Sequence, residues 1–469
     1  MSSQYDLAIL GSGPGGHAAA LAASRRGLRV AVIDRGPWGG VCLNVGCIPT
    51  KAWLAVAHTL RRIRQAQAMG IRVSSVSLDY PAVCQRNERI VTTLRQGLVG
   101  LLRRHNVELM AGAARCEDAH TLAVTHEGQT QLVKADRIIL ATGAQPHPGP
   151  WTFDGQRILS YRDLLAAKTL PASLVIIGGG VIGCEFASCM AAFGVAVTLI
   201  EQEPHLLPVD DPDAVRVLAQ ALETRGVTIR TGTGVSQLVA SASGVQVTLA
   251  DGATLNAERC LVAIGIQPNS RELGLESLGI DTARGVAVNA QLLTAQPHIA
   301  AIGDCVPAHG LAHWASAEGV LAVRNLCEQS NGTLDRAMVP RCVYTDPEVA
   351  QIGLTEAEAP PTARVSRFSF AALGKSVCDE EPDGFVKVIV DPATDRLLGV
   401  TIVGAQASSL IHLGVLALHQ GLTAKQLART LTAHPTLPEA VTEACAQIYG
   451  EALYSAGVAR GPRRSAERV

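Results

Sequence analysis

Gly11-Ser12-Gly13-Pro14-Gly15-Gly16 lies between an apolar run, Asp6 to Leu10, and a segment of helical composition, His17 to Arg26. A second strand-like run, Arg29 to Ile33, follows and ends at Asp34. The unit recurs. Leu174 to Ile177 leads into Gly178-Gly179-Gly180-Val181-Ile182-Gly183, and Val195 to Ile200 ends at Glu201. The acid follows the second motif glycine by the same interval both times, Gly13 to Asp34 and Gly180 to Glu201. Strand, glycine turn, helix, strand and acid in that order is the opening of a βαβ unit in a parallel sheet. Gly11, Gly13 and Gly16, like Gly178, Gly180 and Gly183, allow a tight turn and close approach of backbone N–H groups to a pyrophosphate. The helix N-terminus adds a favourable dipole, and the acid accepts hydrogen bonds from ribose hydroxyls. Glycines serving only tight packing would not require the matched acids.

Just after the first unit, residues 39–51 read Gly-Gly-Val-Cys-Leu-Asn-Val-Gly-Cys-Ile-Pro-Thr-Lys. Cys42 and Cys47 can close into a small disulfide and pass electrons to a flavin lying against one of them. Three readings are open for the pair alone. It is a redox centre, two buried core cysteines, or half of a zinc site. The zinc reading lacks a second Cys/His pair at ligand spacing nearby, so no metal is expected. The C-x4-C spacing is a weaker signal than C-x-x-C. Two nucleotide units plus a thiol pair suggest two cofactors in relay. The thiols follow the first unit, so FAD belongs to Gly11–Gly16 and a nicotinamide to Gly178–Gly183.

The bulk numbers fit that reading. A chain of 469 residues suggests about three domains. Lys+Arg 40 against Asp+Glu 41 gives no electrostatic case for nucleic acid or an anionic membrane. At 3% aromatics, stacking platforms for bases are not expected. Twelve scattered cysteines in so long a chain favour a reducing cytoplasm, and the N-terminus lacks the features of a signal peptide. The uncharged span between Arg396 and Lys425 carries too many polar residues for a membrane span; a buried strand, a turn and a helix are expected there. Arg61-Arg62-Ile63-Arg64 reads as a solvated helix face, and the tail Arg460-Gly-Pro-Arg-Arg as disordered.

From about residue 4 to 455 the chain resembles the FAD-dependent pyridine nucleotide–disulfide oxidoreductases, and within them the branch that oxidises dihydrolipoyl groups. The resemblance rests on Gly39–Lys51; Ala141-Thr142-Gly143; the second glycine motif running into Glu185; Ala263-Ile264-Gly265 with Pro268-Asn269; Ala301-Ile302-Gly303-Asp304; Tyr344 to Ala350; and His434-Pro435-Thr436-Leu437-Pro438-Glu439. It implies an α/β fold of two Rossmann-like dinucleotide-binding domains plus a C-terminal α+β dimerisation domain. It makes Cys42 the thiol that exchanges with a dithiol substrate and Cys47 the thiol against the flavin. Lys51 and Glu185 resemble the ion pair near the flavin's reactive nitrogen. Asp304 resembles the acid at the ribityl chain, and Ala312 and His313 continue that contact. Thr142, Gly143 and Gly265 belong to the cofactor-binding segments. Thr50 stands where Ser is common, Ile266 where many relatives have Arg, Pro438 where a small or polar residue is usual, and Ser409 where Glu is frequent.

A dithiol that reduces Cys42–Cys47 must lose protons, and histidine suits that task near neutral pH. His434 with Glu439 fits, the carboxylate fixing the tautomer. Thr436-Leu437-Pro438-Glu439 also matches a helix capping box, so Glu439 has a second reading as a cap before the amphipathic segment Leu437 to Tyr449. No cysteine follows Gly457, unlike the metal-binding tails of mercuric reductases. Glu201, Gln202 and Glu203 favour NAD over NADP, unlike glutathione reductase. The resemblance implies an enzyme that reduces NAD with electrons from protein-bound dihydrolipoyl groups. Its partner would be a lipoyl-bearing protein of a 2-oxoacid dehydrogenase or glycine cleavage complex. The alternatives are a glutathione-type or mercuric-type reductase, or a non-catalytic flavoprotein subunit. The expected division is 1–147 for the first part of the FAD domain and 148–270 for the NAD domain. Residues 271–340 would complete the FAD site, 341–460 would form the interface domain of a homodimer, and 461–469 the tail.

Overall fold

The computed structural model describes residues 4–307 and 310–455; the tail expected to be disordered lies outside them. The apolar run at Asp6–Leu10 is the strand Gln4–Leu10, inside a seven-stranded sheet. It pairs in parallel with Val30–Asp34, which pairs in parallel with Glu108–Ala111. Its other edge pairs in parallel with the second half of Gln129–Leu140, whose end also takes Ile299–Ala301. The first half of that strand forms an antiparallel flap with Thr121–His126 and Ala113–Cys116. Parallel strands covered on both faces are expected to be apolar throughout. Leu7 to Leu10 and Val30 to Ile33 are accordingly no more than 2% exposed.

The second glycine motif follows Ser173–Ile177, the middle strand of a five-stranded parallel sheet. Its order is Thr228–Arg230, Ala196–Ile200, Ser173–Ile177, Arg259–Val262, Ile158–Leu159. An antiparallel meander, Val235–Ser241, Gly244–Leu249 and Thr254–Ala257, leans on it. A two-stranded ribbon, Ala144–Pro146 with Ile266–Pro268, connects the first and second units. The third unit is a five-stranded antiparallel sheet from Arg341–Val343 to Leu397–Gly404, packed on the helices Ala407–Gln420 and Glu439–Gln447. The uncharged span is therefore the buried strand Leu397–Gly404 followed by the helix Ala407–Gln420.

The redox helix, Cys47–Gln65, holds the first two units together. Together with the short helix before it, it forms a stretch, Gly40–Gln65, long and apolar enough to cross a membrane. Its apolar face is instead spent on protein: Trp53, Leu54, Ala57 and Leu60 are buried against Val181–Ala192 and Tyr80–Arg104. In a chain poor in aromatics, four of them gather here. The Trp53 ring lies 5.9 Å from Tyr80, 6.3 Å from Phe186 and 6.1 Å from Phe193, at tilted or edge-on angles. Such pairs add to burial and resist rotation of the helix.

The third unit is fastened by a buried cation. Lys387 is 2% exposed, and its Nζ donates to Asp211 at 2.9 and 3.0 Å, to Asp213 at 2.7 Å and to Glu356 at 3.0 Å. Burial alone would lower the Lys387 pKa, but the carboxylates outweigh it and the net direction is upward. Asp211 also caps the helix Pro212–Thr224 of the second unit. Lys387→Met would leave buried carboxylates without their counter-charge. It is expected to cost about 3–5 kcal/mol, read as a lower urea midpoint; an unchanged midpoint would refute this role.

Candidate active site

The two glycine turns are built alike down to single hydrogen bonds. Asp34 Oδ2 accepts from Ser12 N at 2.7 Å and Oδ1 from Gly36 N at 2.9 Å. Glu201 Oε2 accepts from Gly179 N at 2.6 Å and Oε1 from Glu203 N at 2.9 Å. Each acid thus binds the residue after the first motif glycine and its own second neighbour. A Cβ at Gly16 would lie 1.9 Å from the Gly11 carbonyl oxygen, and one at Gly183 would lie 1.8 Å from that of Gly178. Only glycine lets these helices start so close to the strand. The space beside Gly13 and Gly180 is open, as a bound pyrophosphate requires.

The thiol segment is pressed onto the first turn. Gly40 has a φ of 62°, and a Cβ there would meet Gly13 Cα at 2.7 Å. Ser12, fully buried, donates its hydroxyl to Asp34 at 2.5 Å and accepts from Gly39 N at 2.9 Å. One side chain therefore joins Asp34 to the thiol loop. Asn44 Nδ2 donates to the carbonyls of Pro37, Trp38 and Gly40 at 2.9–3.2 Å and closes that loop. Cys42 lies in the short helix Gly40–Val45, and Cys47 begins the redox helix. The hydroxyl kept by Thr50 donates to the Gly46 carbonyl at 2.8 Å.

Both thiols are free and hydrogen-bonded to each other. The Cys42 S–H bond to Cys47 holds Cys47 below the usual thiol range, with Lys51 assisting against burial. The same bond, with burial, drives Cys42 strongly upward. In other thiols burial is the leading cause: Cys305 is pushed up to about 11 and Cys445 to about 12. Of the two thiols, Cys47 is therefore the one held lower and Cys42 the one held higher.

Lys51 Nζ binds Glu185 at 2.9 and 3.0 Å and sits 4.4 Å from the centroid of the Tyr344 ring. Glu185 is 3% exposed and also accepts from Tyr344 N at 3.0 Å. Thr142 Oγ1 donates to the Asn269 carbonyl at 2.7 Å, and Asn269 Nδ2 returns a bond to the Thr142 carbonyl at 2.9 Å.

One cavity of about 730 Å³ collects most of these residues. Its wall runs from Gly11, Gly13 and Asp34 past Thr142, Gly143, Asp304 and Ala312 to Cys42 and Cys47. Several members had no signal in the sequence reading, Gln145, Arg162 and Arg271 among them. His313 is outside this wall; its Nε2 meets the Pro340 carbonyl at 2.9 Å. Gly265, with φ of 127°, turns the chain into the ribbon strand Ile266–Pro268.

His434 and Glu439 do form a pair, with Nδ1 2.9 Å from Oε2. The other oxygen of Glu439 accepts from Thr436 N at 2.5 Å. Both readings of Glu439 are therefore partly met, one by each oxygen. The full capping box is absent, because the Thr436 hydroxyl donates to the Ala433 carbonyl and Pro438 takes the cap position. His434 is not part of the cavity wall around the thiols in its own chain. Its side chain is 63% exposed.

A family model described as pyridine nucleotide-disulphide oxidoreductase matches residues 5–319, and the dimerisation domain of that family matches residues 339–445. The chain belongs to the pyridine nucleotide-disulphide oxidoreductase family. It is 38% identical over 454 residues to a dihydrolipoyl dehydrogenase of Chlorobaculum tepidum, covering 95% of this chain and 97% of that one. It is 35% identical over 457 residues to a dihydrolipoyl dehydrogenase of Bacillus subtilis, covering 96% of this chain and all of that one. Among solved structures it resembles LpdA from Mycobacterium tuberculosis with a TM-score of 0.89 at 30% identity, covering 95% of this chain and 99% of that one. It also resembles a Cu(II) complex of the HOCl-induced flavoprotein disulfide reductase RclA from Escherichia coli, with a TM-score of 0.86 at 28% identity, over 96% and 100% of the two chains. The dimerisation match spans both His434 and Glu439, which stand apart from the thiol cavity.

In the reduced protein, Cys42→Ala removes the main donor to Cys47 and leaves its burial in place. The pH midpoint for iodoacetamide labelling of Cys47, followed by peptide mass spectrometry, is expected to rise. A midpoint equal to that of the parent would contradict this ordering of the two thiols.

Proposed function

We propose that this oxidoreductase is a dihydrolipoyl dehydrogenase: it oxidises protein-bound dihydrolipoyl groups and delivers the electrons to NAD+. The observation that carries this reading is the single cavity whose wall bears the first nucleotide turn, Asp34, Asp304 and both thiols. Its volume is within the usual range for cofactor sites, of about 300–1,000 Å³. Its residues fit FAD. Gly11, Gly13 and Gly16 would take the pyrophosphate and Asp34 a ribose, while Thr142, Gly143, Asp304 and Ala312 would hold the remainder. Gly178, Gly180, Gly183 and Glu201 would hold NAD at the second turn. Lys51 and Glu185 would serve the reactive ring, and His313 and Gly265 would support the segments around it. When bound, FAD relays two electrons between the dithiol and the nicotinamide.

The chain's own groups carry the thiol chemistry. A substrate thiolate attacks Cys42 of the closed disulfide, forming a mixed disulfide and releasing Cys47 as thiolate. Lys51 favours Cys47 as the leaving group by balancing the charge that develops on its sulfur. The second substrate thiol loses its proton to His434 Nε2 and attacks its partner sulfur, so Cys42 leaves and takes up a proton. The Nδ1–H···Glu439 bond holds the tautomer that leaves Nε2 free to accept. His434 and Glu439 of one protomer would serve the thiols of its partner in a homodimer.

The lipoyl group would be carried by a protein of a 2-oxoacid dehydrogenase or glycine cleavage complex in the cytoplasm. The same reading divides the chain at about residues 147, 270 and 340. This follows the ribbon that separates the two parallel sheets and the start of the antiparallel one.

The direct test is turnover on free dihydrolipoamide, on lipoyl-bearing proteins and on glutathione disulfide. NADH formation from the first two, with no use of glutathione disulfide, supports the reading; the reverse pattern overturns it. Coenzyme choice follows from Glu201 and Glu203. A 2′-phosphate beside them is repelled, so NAD is expected to exceed NADP in kcat/KM by about 30- to 1000-fold. Glu201→Ala is expected to narrow that gap mainly by weakening NAD, since it also frees Gly179 N. Equal use of both coenzymes by the unaltered protein would refute this role for Glu201.

A further inference from the structure

Arg162 lines the same cavity, and neither the nucleotide turns nor the thiol chemistry uses it. It stands at the start of the short helix Tyr161–Ala166, which a capping box fixes. Asp163 Oδ2 accepts from Ser160 N at 2.8 Å and from the Ser160 hydroxyl at 2.7 Å. The acid next to Arg162 in sequence is thus committed to the cap. Arg162 Nη2 donates to the Ala144 carbonyl at 3.1 Å, and its Cζ lies 5.9 Å from the Tyr161 ring centroid. Its Nε is buried and has no hydrogen-bond partner. Among the described residues Arg162 enters no ion pair, although a guanidinium keeps its charge throughout the accessible pH range.

Its position along the cavity is fixed by two neighbours. The helix Tyr161–Ala166 packs against the short helix Gly40–Val45 that carries Cys42, which places Arg162 towards the thiol end of the cavity. Ala144 belongs to the ribbon strand Ala144–Pro146, paired with Ile266–Pro268. Ile266, the position where many relatives carry arginine, faces Pro146 in that register and is 36% exposed. The arginine missing from one strand of the ribbon has a counterpart bonded to the other.

We propose that Arg162 is the cofactor-facing cation of this site and that it sets the reduction potential of the bound FAD, in place of an arginine at position 266. This rests on FAD filling the cavity. Reduction adds negative charge to the ring system, and a fixed cation nearby favours the reduced form.

The experiment compares holoprotein variants by equilibrium reduction against a dye of known potential. Arg162→Met keeps length and loses charge, whereas Arg162→Lys keeps charge and loses the fork that reaches Ala144. In Arg162→Met the equilibrium constant for two-electron reduction of bound FAD is expected to fall at least tenfold, a drop of about 30 mV. Arg162→Lys should stay within threefold of the parent, and Ile266→Arg added to Arg162→Met should recover most of the loss. If Arg162→Met purifies without FAD, the same comparison is read in FAD affinity, with Arg162→Lys retaining it. Equal potentials in all variants, or equal damage from Lys and Met, would overturn the proposal. A parent protein that binds no FAD would instead overturn the functional reading on which it rests.

Discussion

One buried carboxylate joins the three parts of this molecule. Glu185 lies on the first helix of the second nucleotide unit and takes Lys51 from the redox helix and the backbone of Tyr344 from the third unit. An isolated carboxylate with 3% exposure would be strongly unfavourable, and the attraction to Lys51 offsets that only in close geometry. The requirement for all three contacts sets how the redox helix sits against the second unit. That in turn sets where Cys47 begins. A small rotation of either helix would leave a charge unpaired, so the chemistry inherits its precision from a desolvation penalty.

Other junctions repeat the device. Lys387 ties the antiparallel sheet to Asp211, and Arg225 of the second unit pairs with Asp346 at 3.2 Å, beside Arg61 of the redox helix. The apolar core runs across the junctions, as the Trp53 cluster does, and charged pairs are added at each of them. Packing holds the units together, and the paired buried charges fix their register. An enzyme that must hold a thiol pair, two nucleotide turns and a histidine in register has reason to fix its junctions this way.

Much of this was legible in the sequence because glycine geometry is unforgiving. Gly11–Gly16 and Gly178–Gly183 had to be glycine where a Cβ would strike the preceding carbonyl, so the motifs announced both turns. The matched acids were readable for the same reason: each makes the same two backbone bonds. What escaped the reading depends on contacts distant in sequence. Nothing around Lys387 signals that it is buried among three carboxylates contributed by two other segments. Ser12 reads as a filler between glycines, yet it links Asp34 to Gly39. Glu439 could not be resolved because its two oxygens serve the two readings separately. His313 was grouped with the cavity by its neighbour Ala312, but its ring turns to Pro340.

The account stands or falls on whether one catalytic site draws on two chains. His434 and Glu439 form a pair outside the thiol cavity of their own chain, within a segment that matches a dimerisation domain. A Cys42→Ser chain and a His434→Gln chain should each give a nearly inactive homodimer, since loss of the general base alone costs about 10²- to 10⁴-fold. In the purified heterodimer one site would carry both defects and the other neither. Dihydrolipoamide turnover close to half that of the unaltered dimer is the predicted result, and a heterodimer as inactive as its parents would contradict the shared site.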